Sequence, residues 1–224
     1  MAETDTLTYR GTEAVATQKV LRNTYMLLSI TLLWTAAMAG VSMALEVPPM
    51  GFIPLLVAFG VLFAISKFRN SGVGLLLVFV FTGILGFCLG PIISLYVAAG
   101  ASQIVVTAAS LTGLIFLSLS GYTLMSQKDF SFMSGFLSVG LWVMLGCVLL
   151  LWLGPLFGFY SSALHLAISA GIVILMSGLI LYDTSRIIHG GETNYVMATV
   201  SLYLSIYNIF ISLLHIFGLF GGDE

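Results

Sequence analysis

The chain has 224 residues, of which 59% are hydrophobic and only 7% are charged, and its formal net charge is −2. A soluble domain usually carries about 25% charged residues, so this chain has too few polar groups to cover a folded surface in water. The composition excludes a soluble enzyme, a nucleic-acid-binding protein and a disordered protein, and it predicts a protein embedded in a lipid bilayer.

Seven apolar stretches approach or exceed the roughly 20 helical residues that cross the hydrocarbon core of a membrane. Because short connections join them, consecutive helices are expected to be antiparallel neighbours. The predicted fold class is an all-α integral membrane protein with a bundle of seven transmembrane helices in a domain of residues 24–220. The stretches are Thr24–Leu45, Gly51–Ser66, Gly72–Ala98, Gln103–Met125, Phe132–Leu153, Ser162–Asp183 and Tyr195–Phe217.

The basic residues all fall on one side of this seven-span arrangement, in the N-terminal segment and the even-numbered connections. Positive charge marks the cytoplasmic side, so the N-terminus is predicted inside and a short C-terminus, residues 221–224, outside. Residues 1–18 are polar and cannot bury a core, so residues 1–23 are predicted to be a mobile cytoplasmic tail that leads into the first apolar stretch. This tail is either a passive terminus or a handle for a cytoplasmic partner. The basic residues are Arg10, Lys19, Arg22, Lys67, Arg69, Lys128 and Arg186.

Small residues line one face of the third stretch. Gly86 and Gly90 form a small-xxx-small pattern, and Gly83 extends the same face. Such faces let the backbones of membrane helices approach closely, so this helix is predicted to pack through its glycines. Pro91 follows directly and is expected to kink the last third of the helix.

Asp183 is the one acidic residue within reach of the hydrocarbon core, and it ends the sixth stretch. A carboxylate at this depth must be neutral, paired or hydrated. Arg186 lies one helical turn further on, and Lys67, Arg69 and Lys128 are expected at the same membrane face. Two interpretations stay open, a structural salt bridge at the cytoplasmic rim and a proton-sensitive latch.

The seventh stretch carries a polar stripe, because its polar residues recur every three or four positions along one helix face. Such a stripe is disfavoured against lipid, so the last helix is predicted to lie centrally in the bundle. The stripe is either interhelical hydrogen-bonding glue or the lining of a narrow hydrated path. Its members are Ser201, Ser205, Asn208, Ser212 and His215.

Motifs for enzymatic or metal chemistry do not occur in the sequence. HExxH and CxxC spacings are missing, as are GxSxG, the Walker A motif and GxGxxG. These are the patterns that commonly mark zinc, hydrolase and nucleotide sites. The sequence therefore predicts neither a catalytic residue nor a cofactor nor a metal.

Several stretches that mix polar and apolar residues are more specific than hydrophobicity alone. They are residues 19–25, 89–92, 163–170 and 187–195, together with 198–203 and 208–210 of the last helix. Through them the chain resembles the Bax-inhibitor-like (transmembrane Bax inhibitor motif) membrane family from about Lys19 to Gly222. Within it, the likeness is greatest to a bacterial branch that modulates the membrane protease FtsH.

The resemblance implies seven helices with the last surrounded by the other six. It also implies a non-enzymatic inner-membrane regulator that binds FtsH and restrains its proteolysis of membrane proteins in quality control, while being a slow substrate itself. In the wider family, it implies two facing aspartates that share a proton and act as a latch on a calcium leak. Asp183 matches the first of these, but Ser205 stands at the second, as in the FtsH-modulating branch. The broken pair favours the regulator over the alternative, a pH-sensitive calcium or cation leak channel gated near Asp183.

Overall fold

The computed structural model describes residues 2–51, 53–154 and 161–220, and these fold into helices joined by short connections. The predicted outer C-terminus, residues 221–224, lies outside the described residues. The helices are α1 (Ala2–Ala44), α2 (Ile53–Phe68), α3 (Gly72–Ala98), α4 (Ser102–Ser126), α5 (Ser134–Leu153), α6 (Ser162–Ile188) and α7 (Tyr195–Phe220), with a 3₁₀ turn at Ser131–Met133.

Six of these helices are long and apolar enough to cross a membrane, while α2 is shorter. With 16 residues, α2 is about 24 Å long, against a hydrocarbon core of roughly 30 Å. The prediction of an all-helical, multi-pass membrane protein is confirmed. A seventh crossing by α2 and a central position of the last helix stay predictions.

Two helices are longer than the sequence predicted. Helix α1 extends back to Ala2, through residues that were expected to form an unstructured tail. Helix α6 continues five residues past Asp183, which therefore lies inside the helix. It stops near Gly190, whose φ of 73° is left-handed, a backbone conformation that glycine adopts without steric cost.

One compact unit of the chain comprises Met1–Val97 and Arg186–Tyr203. Within it, α3 packs closely on α1 through glycines. A Cβ atom built at Gly86 would lie 2.5 Å from the Thr35 carbonyl oxygen, and one at Gly90 would collide with Ser42. Only glycine allows the two backbones this separation. Pro91 is buried inside α3, which continues to Ala98.

The second compact unit comprises Ala98–Ser185 and Leu204–Glu224. Here α5 and α6 pack with bulky side chains of each helix against glycines of the other. Leu175 of α6 fills the space over Gly140 of α5, and Met144 of α5 does the same over Gly171 of α6. The opposite side of α5 is largely exposed, since only 6% of its spanning window is buried.

Candidate functional site

A buried polar cluster joins α1, α3 and α7 within the first unit. The hydroxyl oxygen of Tyr203 lies 2.8 Å from Oγ1 of Thr35, and the Tyr203 side chain is fully buried. Thr35 Oγ1 also donates to the carbonyl of Thr31 at 2.8 Å. Both hydroxyls also lie near the Thr82 carbonyl of α3, Thr35 Oγ1 at 3.2 Å and the Tyr203 hydroxyl at 3.5 Å, and either hydroxyl can be the donor of the bond between them. The Tyr203 ring packs edge-on against Phe81 at 6.2 Å.

A row of buried hydroxyls on α1 positions this cluster. The row recurs with helical spacing along one face, so the face that turns inward is a polar one. Its four members are at most 6% exposed. Sequence reasoning missed this row, although its spacing of seven, four and seven residues is visible in the sequence. The members are Thr24, Thr31, Thr35 and Ser42.

Threonines in these helices bond to their own backbone. Thr82 Oγ1 donates to the Val78 carbonyl at 2.9 Å, and Thr199 Oγ1 donates to the Tyr195 carbonyl at 2.7 Å. Thr199 Oγ1 also lies 3.3 Å from the Thr24 carbonyl of α1. A hydroxyl that bonds one turn back is satisfied wherever its helix lies.

A second polar cluster lies where α6 leads into α7, also within the first unit. Arg186 donates to the Gly191 carbonyl at 3.2 Å and pairs with Glu192 at 3.5 Å. Glu192 in turn accepts the backbone N–H of Asn194 at 2.9 Å. This places Arg186 in an ion pair on its own connection. A pairing of Asp183 with a cation stays a prediction.

Asn194 caps α7 and ties it to the α2–α3 connection. Its side-chain oxygen accepts the N–H of Met197 at 3.0 Å, which satisfies a backbone donor that a helix start leaves open. Its amide nitrogen donates to Asn70 Oδ1 at 2.7 Å and to the Arg69 carbonyl at 3.1 Å. The sequence stretch 187–195, which carries part of the family resemblance, thus holds a helix stop, the acidic partner of an ion pair and a helix cap.

Asp183 lies half-buried in α6, in the second unit. Two residues further on, buried Ser185 accepts the N–H of Phe130 at 3.0 Å and donates to the Lys128 carbonyl at 3.2 Å. The Lys128 ammonium donates to the Tyr122 hydroxyl at 3.1 Å. The connection between α4 and α5 is therefore fastened to α6 beside Asp183. Lys67 is an exposed residue in the last turn of α2.

The polar stripe of α7 is unevenly buried. Ser205 and Ser212 are at most 3% exposed, Ser201 and Asn208 are half-buried, and His215 is exposed. Asn208 donates to the Leu204 carbonyl of its own helix at 2.7 Å. Among the described residues, no three His, Cys, Asp or Glu side chains gather into a group that could hold a metal ion.

The six long apolar helices identify a multi-pass helical membrane protein. Its helices are held together by close glycine contacts, buried hydroxyl hydrogen bonds and the Asn194 cap. A family model described as "Inhibitor of apoptosis-promoting Bax1" matches residues 17–222. The chain belongs to this Bax inhibitor family, as its sequence resemblance indicated.

Three relatives match over nearly the whole chain. An uncharacterised protein of Pseudomonas aeruginosa is 49% identical, covering 96% of this chain and 98% of its own. The "Modulator of FtsH protease YccA" of Escherichia coli is 47% identical, covering 95% of each chain. An "Uncharacterized membrane protein" of Vibrio cholerae is 45% identical, covering 93% of this chain and 92% of its own. The second relative is of the FtsH-modulating branch that the sequence resembled.

Proposed function

We propose that this protein is a non-enzymatic regulator of the bacterial inner membrane that binds the FtsH protease and restrains it in membrane-protein quality control. The observation that carries this proposal is the 47% identity to the modulator of FtsH protease over 95% of both chains. A further Escherichia coli relative, also 47% identical, is named "Inner membrane protein YccA", which supports the location.

The proposed topology has seven crossings, with the N-terminus in the cytoplasm and the C-terminus outside. The segregation of all seven basic residues supports it. The burial of α7 supports a central last helix, because half of its spanning window is buried, the largest share among the six long helices. Reporter tags at the two ends of the chain should report opposite compartments, and finding both in one compartment would contradict this topology.

The N-terminal end of α1 is the proposed point of engagement by the protease. The apolar stretch of this helix begins at Thr24, so residues 2–23 precede it over about 33 Å of helix. The end of a helix that buries no apolar face opens at almost no cost in free energy. The first turns of α1 therefore supply the unstructured handle that a processive protease requires.

The packing of α1 explains how the protein would resist extraction once its tail is engaged. A pulling force on the tail first loads α1. This helix is held by the contacts of Gly86 and Gly90 and by the Thr35–Tyr203 hydrogen bond. These contacts must break together before α1 leaves the bundle. The protease thus remains occupied by a slow substrate.

Deleting residues 2–18 tests this mechanism. We expect slower turnover of the protein itself and faster degradation of another FtsH substrate in the same cells. A matched control replaces residues 2–18 with an equally long Gly/Ser segment, which keeps a handle and should preserve both readouts. Unchanged turnover and unchanged substrate degradation after the deletion would remove the tail from the mechanism.

A further inference from the structure

An apolar pocket of about 440 Å³ lies between α1, α2 and α3, entirely within the first unit. It is formed by the second half of α1, the first turns of α2 and the middle of α3. Several lining residues are also open to the surroundings, among them Trp34, Val57 and Val80 at 42–50% exposure. In a membrane-spanning protein this surface faces lipid. Met50, Ile53, Phe79 and Gly83 also line the pocket.

The wall of this pocket is fixed by a tryptophan. The indole nitrogen of Trp34 donates to the Phe79 carbonyl of α3 at 3.0 Å. Gly83 makes room for it, because a Cβ atom there would lie 2.9 Å from that nitrogen. The one polar atom of the indole is therefore satisfied, and the ring presents an apolar wall of defined position.

The pocket lies at the end of the bundle where the short helix α2 begins. Met50 and Ile53 line it and stand just before and at the first residue of α2. Helix α2 is about 6 Å shorter than the hydrocarbon core. A short apolar helix leaves part of the core thickness uncovered, and the surrounding lipid must adapt to it.

We propose that this pocket binds one acyl chain of a bilayer phospholipid that carries an ammonium headgroup. The pocket volume of about 440 Å³ corresponds to about one helical turn with its side chains, roughly 400–600 Å³, so a partner helix of about 20 residues that crosses the membrane would leave most of its length outside the pocket. A methylene is roughly as large as a water molecule, about 30 Å³, so a pocket of 440 Å³ accommodates a chain of about fifteen carbons.

The negative charge of Glu46, just after α1, favours a lipid headgroup that carries an ammonium group. Glu46 is the only charged residue between positions 23 and 66, it is exposed, and it directly follows the last turn of α1. A carboxylate without a neighbouring cation in the sequence attracts an ammonium group and repels an anionic lipid. Phosphatidylethanolamine has this chemistry, and phosphatidylglycerol does not.

The test uses the full-length protein in nanodiscs with a phosphatidylethanolamine probe that carries a photoactivatable diazirine in its acyl chain. Labelled peptides are identified by mass spectrometry. We expect labelling concentrated on peptides that contain Met50 and Trp34, and at least about fivefold weaker labelling there in Val57→Phe, which fills the pocket. The matched control is Leu56→Phe, since Leu56 is adjacent and similarly exposed at 56% but does not line the pocket.

Val80→Phe, with Leu76→Phe as its control on α3, repeats the comparison from another wall in case the first variant folds poorly. The corresponding phosphatidylglycerol probe should label the pocket several-fold less. Equal labelling in the filled and control variants, uniform labelling of all lipid-facing helices, or equal labelling by the two probes would each overturn the proposal.

Discussion

Replacing Gly86 with alanine tests the helix contact on which resistance to extraction depends. The new Cβ atom would lie 2.5 Å from the Thr35 carbonyl oxygen and 2.9 Å from its Cα. Ordinary carbon contacts are about 3.5–4.0 Å. Helices α1 and α3 must therefore separate by roughly 1 Å at this point, because backbone atoms cannot move aside as a side chain can.

The expected cost follows from two opposing effects. Overpacking of a close-packed core destabilises by about 1–3 kcal/mol, while alanine in a helix is favoured over glycine by about 0.5–1 kcal/mol. The matched control is Gly40→Ala on α1, where a Cβ atom meets nothing within 4 Å. Both variants share the helix-propensity gain, so the difference between them, about 1–3 kcal/mol, measures the contact alone.

The free energy of unfolding can be measured in mixed micelles by raising the fraction of sodium dodecyl sulfate and following circular dichroism. In cells, Gly86→Ala should also shorten the half-life of the protein when FtsH is present. Stabilities of the two variants within about 0.5 kcal/mol of each other, the range of surface substitutions, would refute the argument that this contact holds α1 in place.

Three further outcomes are expected. Tyr203→Phe should lower stability by about 1 kcal/mol, and combining it with Thr35→Val should cost less than the sum, because both remove one hydrogen bond. Additive costs would contradict that bond. Asn194→Ala should cost about 1 kcal/mol and speed hydrogen exchange in the first turn of α7. Asn70→Ala, which keeps the cap, should not speed it. Vesicles containing the purified protein should show no calcium flux that depends on Asp183. A flux that is present in the native protein and lost in Asp183→Asn would favour the leak channel.

The number of helices and most of their bounds could be predicted because the hydrophobic signal is strong in every stretch. The start of α1 could not, since it lies at Ala2 and the residues before Thr24 carry no hydrophobic signal. For α3, the predicted bounds Gly72–Ala98 coincide with those of the helix. The end of α6 was placed five residues early, because hydropathy falls at Asp183. The helix continues past it because Ser185 is buried and bonded to the α4–α5 connection.

The partners of polar residues could not be predicted. Periodicity identifies which face of a helix is polar or small, but it does not say what that face contacts. Tyr203 and Thr35 are 168 positions apart in the sequence, and nothing local to either residue indicates the other. The ion pair of Arg186 was missed for a different reason, since Glu192 lies beyond the helix end that hydropathy suggested.

The threonines that bond one turn back in their own helices have a consequence for how the protein is made. Thr35 and Thr82 satisfy their hydroxyl protons on the carbonyls of Thr31 and Val78 before any other helix arrives. These hydroxyls therefore expose no unmet donor to hydrocarbon while their segment lies alone in the bilayer, whereas the Trp34 indole N–H of α1 finds its acceptor only on α3. Assembly of the helices can then follow insertion as a separate stage.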